Sequence, residues 1–195
     1  MTKVTISRLF DDYGDAQKAV AQLREAGVAE DDISIIANNA DKWYAPDLAG
    51  GAGKGAAIGA GFGGFGGLLA GLGLLAIPGL GPVVAAGWLA AAATGAAVAG
   101  AAGGVIGMLA EAGVAVNEAE VYAESIRRGG SLVSAKVEAA DKERLEAVLH
   151  PSSVDVTARR TELESSGWHG FNPQAPDPTA EDIRRHRGSR GGGSA

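Results

Sequence analysis

The feature that most constrains this chain is an uncharged stretch in its middle. Residues 50–113 are dominated by glycine and alanine, and from Gly55 to Ala110 there is no charged residue. Glycine recurs at every fourth position through Gly51, Gly55, Gly59, Gly63, Gly67 and Gly71. A second series of small residues runs through Gly87, Ala91, Gly95, Ala99, Gly103 and Gly107. A spacing of four places such residues on one face of a helix, where a second backbone can approach closely. Between the series lies Ile77-Pro78-Gly79-Leu80-Gly81-Pro82, which no helix continues through. The pattern predicts two helices joined by a turn at Pro78, Gly79, Gly81 and Pro82. Such a glycine-zipper hairpin carries no reactive group, so it is a packing device.

Its surroundings follow from the glycines. Residues 51–73 hold eleven of them. Each costs about 1 kcal/mol against alanine in a solvated helix, a penalty on the order of 10 kcal/mol for the arm. Only a protein interior or a membrane removes that exposure. Both arms, 55–77 and 83–110, exceed the roughly 20 residues that span a bilayer core. The large apolar residues of the first arm favour lipid by only about 3 to 5 kcal/mol, before the glycines erode that. The expectation is therefore self-association through the small faces, with membrane lipid as a second partner. Lys54 and Glu111 mark one boundary of the hairpin, so both flanks fall on one side. That predicts a cytoplasmic domain associated with the inner (cytoplasmic) membrane.

The flanks read as ordinary soluble sequence. Val4 and Ile6 alternate with Thr5 and Ser7, a half-buried strand over 3–9. Asp11, Asp12, Gly14 and Asp15 supply turn and cap chemistry for a helix to Ala26, closed by Gly27. Asp32 to Ala37 is a second strand, parallel to the first in one sheet. The connector Asn38–Ala49 carries Trp43 and Tyr44, suited either to a membrane boundary or to covering the edge of the domain. Beyond the hairpin, Asn117 and Glu120 have capping-box spacing for a helix to Arg128. Ser131–Glu138 is a strand with Val133, Ala135 and Val137 on one face. Asp141–Leu149 is a short helix, and Val154–Ala158 a last strand.

The element order predicts an α+β fold, a ferredoxin-like βαβ-βαβ sandwich with the two-helix hairpin inserted. Its halves are residues 1–49 and 114–160, and the hairpin is 50–113. Residues 161–195 read as a flap carrying Trp168, Phe171 and Pro173, then a disordered tail.

Chemistry-bearing patterns are few. The net charge is −6 and the isoelectric point about 5.1, which gives no basis for nucleic-acid binding. There is no cysteine, hence no disulfide and no thiolate. No secretory signal is expected from the opening residues. Gly61-Phe62-Gly63-Gly64-Phe65-Gly66 matches a dinucleotide loop in letters only, because no strand immediately precedes it. Gly53-Lys54-Gly55 fails as a phosphate loop. His150, His169 and His186 lie far apart, without acidic partners at ligand spacing. Glu30-Asp31-Asp32 reads as a solvated turn. Glu162, Glu164 and the neighbouring arginines read as a solvated helical face. No catalytic, cofactor or metal residues are expected.

Several motifs carry a resemblance. They are Leu75-Ala76-Ile77-Pro78-Gly79-Leu80-Gly81-Pro82, Arg127-Arg128-Gly129-Gly130-Ser131-Leu132-Val133-Ser134 and Gly167-Trp168-His169-Gly170-Phe171-Asn172-Pro173. With Asp15-Ala16 and Asp32-Ile33-Ser34, they make residues 3–175 resemble bacterial general stress proteins of the heat-induced, YflT-like kind. The resemblance implies a stress-response protein and transfers no catalytic residue. The residues by themselves point to a non-enzymatic protein that self-assembles. The alternatives are a small-ligand-binding regulatory module, or a soluble homo-oligomeric particle with no membrane contact.

Overall fold

The computed structural model describes residues 2–44, 73–77, 79–92 and 104–191. The fold is mixed α+β, built on a five-stranded antiparallel sheet. The strands are β1 (Lys3–Phe10), β2 (Ile33–Asn38), β3 (Gly73–Ile77), β4 (Gly81–Gly87) and β5 (Ser131–Glu138), in the spatial order β1-β5-β2-β4-β3. The helices are α1 (Tyr13–Glu25), α2 (Gly104–Glu111), α3 (Val116–Arg127), α4 (Lys142–Leu149), α5 (Val156–Ser165) and α6 (Ala180–Gly191). A further helical turn starts at 88–92.

The first βαβ unit forms where the alternation placed it. Asp12 caps α1, its carboxylate accepting from the Gly14 amide at 2.7 Å. Gly27 at φ +93° ends it, and the Val28 amide returns to the Leu23 carbonyl at 3.0 Å. Both β1 and β2 run antiparallel to β5, so they are parallel to each other with β5 between them.

Helices cover both faces of the sheet. On one face, Ala16, Ala19, Val20 and Leu23 of α1 and Leu145 and Leu149 of α4 pack on Ile6, Ile33, Ile35, Val133 and Ala135. On the other, Val105 and Leu109 of α2 and Ala119, Tyr122 and Ile126 of α3 pack on Leu9, Ile36, Val83, Ala85 and Leu132. All six residues of β2 are buried, as a central strand covered on both faces requires.

Four expectations are corrected. The helical hairpin is not formed at 73–87: these residues make the β-hairpin of β3 and β4. The turn is real, with Gly79 at φ +79° and Gly81 at φ +77°, and the Leu80 amide bonds the Ile77 carbonyl at 3.0 Å. Here β2 offers an open backbone edge to β4, and Val83 and Val84 are β-branched, so pairing outweighs a weak helical preference. Asn117 does not cap α3. That helix starts two residues earlier, after Ala115, whose carbonyl accepts from the Glu118 and Ala119 amides. The strand at Val154–Ala158 shrinks to one bridge, Val154 with Leu9, because Asp155 caps α5 by accepting from the Ala158 amide at 2.7 Å. The tail is not disordered over α6. Thr179 and Asp182 form a reciprocal cap there, and Ile183 is fully buried. Residues 192–195 lie outside the described residues.

Candidate functional site

The hairpin turn is the part of the expected site that the structure describes best. Gly79 faces the backbone of Pro173 so closely that a Cβ would stand 2.7 Å from its Cα and 3.1 Å from the Phe171 ring. A Cβ on Gly81 would stand 3.3 Å from Pro178 and 3.4 Å from Asp177. Residues 171–178 therefore run as a strap over the tip of the β-hairpin, and Gly79 and Gly81 make room for it.

The strap is fastened at both ends. Trp168 is buried against Val121 and Leu163, and Phe171 packs on the α2–α3 core. Both aromatics thus pack against the domain. At the far end Arg187 of α6 reaches a polar junction beside the end of β2. Its guanidinium donates to the Gly129 carbonyl at 3.1 Å, to the Asn38 carbonyl at 3.2 Å and to the Asp41 carboxylate. Arg127 donates to the Pro176 carbonyl at 3.0 Å. Buried Asn38 completes the junction, its amide donating to the Leu80 carbonyl at 3.1 Å and its oxygen accepting from the Ala40 amide at 2.8 Å. Charge-assisted bonds of this kind hold about 1.5–3 kcal/mol each where water is excluded.

Trp43 and Tyr44 resolve to the edge-covering reading. Trp43 packs at a tilt of 44° on Tyr13 with centroids 4.3 Å apart and donates its indole hydrogen to the Asn38 carbonyl at 2.8 Å. Tyr44 is buried over Ala37 and Val84.

The glycine series fares unevenly. Gly51, Gly55, Gly59, Gly63, Gly67, Gly71, Gly95, Gly103 and Pro78 lie outside the described residues. Gly87 sits not on a helical face but at the end of β4, at φ +79° against the backbone of Ile33. Gly107 does lie on a helix, α2, and outside its own helix no atom of the described residues comes within 4 Å of its Cβ position. Gly79, Gly81 and exposed Pro82 belong to the β-hairpin.

Arg187, Asp41 and Arg159 were missed by sequence reasoning. The spacing Thr179-Ala180-Glu181-Asp182 was a usable capping signal for α6. Nothing local marks Arg159, whose partner Asp11 is remote in sequence. It is only 4% exposed and bonds both carboxylate oxygens of Asp11, at 2.8 and 2.9 Å.

Described residues line at least two surface clefts. One of about 300 Å³ lies between α3, α5 and the 168–170 loop. In it Arg160 pairs with Glu164 at 3.6 Å and lies over the Trp168 ring at 5.7 Å. A second, about 210 Å³, is spanned by the Lys3–Asp32 ion pair at 2.6 Å. Among the described residues no group of three or more His, Asp and Glu can hold a metal ion, and no helix is long and apolar enough to cross a membrane.

Tyr122 gives the core a pH limit. Burial, reinforced by Glu118 and Glu146 against Arg8, pushes its hydroxyl up to about 12. The folded protein thus holds this proton more tightly than the unfolded chain, where the group titrates near 10. Its contribution is intact below pH 10 and is lost between pH 10 and 12, about 2–3 kcal/mol in all. Urea denaturation at pH 9 and pH 11.5 should show that loss, and Tyr122→Phe should make the decline shallower. The same variant loses about 1 kcal/mol at pH 7, because the hydroxyl donates to the Ser7 carbonyl at 3.2 Å.

Comparison with known proteins adds one finding. Residues 5–76 match the family model described as "Heat induced stress protein YflT domain". No curated protein and no solved structure matches the chain. The match runs from β1 into β3, and the motifs at Arg127–Ser134 and Gly167–Pro173 lie beyond it. Over residues 5–76 the chain is thus similar to the heat-induced stress protein YflT domain, the family that its motifs resemble.

Proposed function

We propose that this protein serves a general stress response without catalysis, by assembling with copies of itself. The YflT domain supports the stress-response role. The observation that carries the assembly is β3. Among the described residues it is the last strand of the sheet, and its sequence Gly73-Leu74-Leu75-Ala76-Ile77 has no charge and no proline. Leu74 is 47% exposed. Edge strands left without charge, proline or bulge pair with another chain. Two β3 edges meeting antiparallel would extend one sheet through two molecules, and exposed Leu74 adds apolar contact.

The ferredoxin-like reading of β1, α1, β2, β5 and α4 belongs to this proposal. In it the Leu9–Val154 bridge is what remains of the fourth strand. The β3–β4 hairpin is then an addition at the β2 edge, and it is this addition that creates the assembly edge.

Size-exclusion chromatography with light scattering tests the reading. The wild-type chain should elute as a multiple of 19.5 kDa. Ala76→Lys, at an exposed position of the edge strand, should return the monomer. A wild-type mass of one chain, at concentrations where the protein is abundant in cells, sinks self-assembly. Carbonate washing of native membranes is the companion measurement. Retention in the washed membranes identifies lipid as a partner, through residues other than the described helices.

A further inference from the structure

The chain after Trp168 holds to the domain differently from the chain before it. Trp168 is buried against Val121 and Leu163. From residue 171 to residue 188, Ile183 is the one buried side chain. Its neighbours supply little backbone pairing either. Pro173, Pro176 and Pro178 have no amide hydrogen to donate. The amides of Gln174 and Ala175 both bond Asn172, within the strap itself. Thr179 and Asp182 cap α6 with each other. Two arginine side chains join this segment to the domain.

Arg187 makes most of the contact. It lies past the C-terminal end of α3, where the helix carbonyls favour a cation. Its guanidinium donates to the Gly129 carbonyl at 3.1 Å, to the Asn38 carbonyl at 3.2 Å and to the Asp41 carboxylate, which is largely shielded from solvent. Gly129, at φ +100°, leaves room for it. A Cβ there would stand 3.1 Å from the Ile183 side chain and 3.4 Å from that of Arg187. The buried isoleucine and the arginine therefore share one seat. The second tie is Arg127, which donates to the Pro176 carbonyl at 3.0 Å. At the near end, Phe171 and Pro173 rest on Gly79. Between Trp168 and Phe171 lies Gly170 at φ +142°, and apart from its chain neighbours no described atom comes within 4 Å of its Cβ position. The backbone has space to turn there.

A segment with a single buried side chain and little backbone pairing opens at lower cost than the core it rests on. We infer that residues 171–187 form a latch, which swings from Gly170 as one body while the sheet and α1–α5 stay folded, and that Arg187 is its bolt. Opening uncovers the hairpin turn at Gly79 and Gly81. It also leaves the Asp41 carboxylate beside the Asn38 and Gly129 carbonyls, a set of acceptors that fits a guanidinium. The closed latch fills that set with the chain's own arginine and so keeps it from any other.

The chain has no cysteine, so a single introduced thiol reports its own burial. Ile183→Cys places one in the latch, and Ala135→Cys, in the fully buried part of β5, is the core control. Both are made in the full-length protein. Under native conditions a thiol reagent should label position 183 about a hundred-fold faster than position 135. Asp41→Asn takes the charge from the partner of Arg187, and Arg187→Gln removes the guanidinium. Each should speed labelling at 183 by a further factor of about ten and leave position 135 unchanged. Gly79→Ala presses on Pro173 at the other end of the strap and should speed position 183 by about five-fold. Equal labelling at 183 and 135 overturns the inference, since the segment then opens only with the core. A rate at 183 that neither Asp41→Asn nor Arg187→Gln changes overturns it too, because Arg187 then bolts nothing. If Gly79→Ala leaves position 183 unchanged, strap and helix move separately and the single body is overturned.

Discussion

Gly87→Ala is expected to cost about 4 kcal/mol or more, a large part of the 5–15 kcal/mol that holds a typical domain together. Gly87 adopts φ +79°, and a Cβ there would lie 2.0 Å from the Ile33 carbonyl oxygen and 2.9 Å from the Ser34 Cα. Neither neighbour can yield, because both are backbone of central strand β2, paired on each side. The substitution must push β4 away from β2 and open the core around Val83 and Ala85. Chemical denaturation should show the midpoint falling by about half. Gly107→Ala is the control from the same small-residue series. It lies in α2 with a right-handed backbone and open space at its Cβ, so it should gain up to about 1 kcal/mol. Equal losses at the two positions would mean that α2 packs closely through Gly107 on something beyond the described residues.

The second large effect is expected at Asp11. Arg159 is buried on α5, and its strongest bonds go to the Asp11 carboxylate in the loop after β1. Glu162 adds an ion pair at 3.0 Å but is itself more than half exposed. Removing one partner of a buried pair costs 3–5 kcal/mol, because the other charge is left desolvated. Asp11 is about a third exposed, so solvent screens part of the interaction. Asp11→Ala should therefore lose about 2 kcal/mol. Asp11→Ala combined with Arg159→Met should recover most of it, since methionine fills the same space without a charge to satisfy. A double-mutant cycle by thermal or urea denaturation reads the coupling directly. If the double variant is as unstable as the sum of the two singles, the pair is not what holds α5 to β1.

These two positions also show what was legible in the sequence. The first βαβ unit was, since it depends on short-range signals: alternation in β1, the Asp12 cap, Gly27 after α1 and the apolar run of β2. The face assignment of Val133, Ala135 and Val137 in β5 was legible for the same reason. Of the glycine series, Gly87 is a site of close approach, against a strand and not a helix. Spacing by four suggests a helix, yet Gly87 is small because β2 lies beneath it, and Gly79 and Gly81 are small because the strap crosses them. Arg159 looked like one of several solvated arginines, because nothing within its own helix distinguishes it from Arg160.

By itself, then, the sequence determined the first βαβ unit, the α+β class, the stress-protein resemblance and the existence of a turn at residues 77–82. Tertiary structure alone decided that residues 73–77 and 81–87 on either side of that turn are strands, that Val154 makes one bridge and not a strand, and that residues 171–178 run over the hairpin tip towards a docked helix. The physical reason is the same in each case. The preference of a segment such as Leu74–Ile77 for helix or strand is worth tenths of a kcal/mol per residue. An open strand edge supplies a backbone hydrogen bond at every second residue, and a carboxylate or an apolar pocket contributed from far along the chain adds more. Such partners carry no mark in the segment they select.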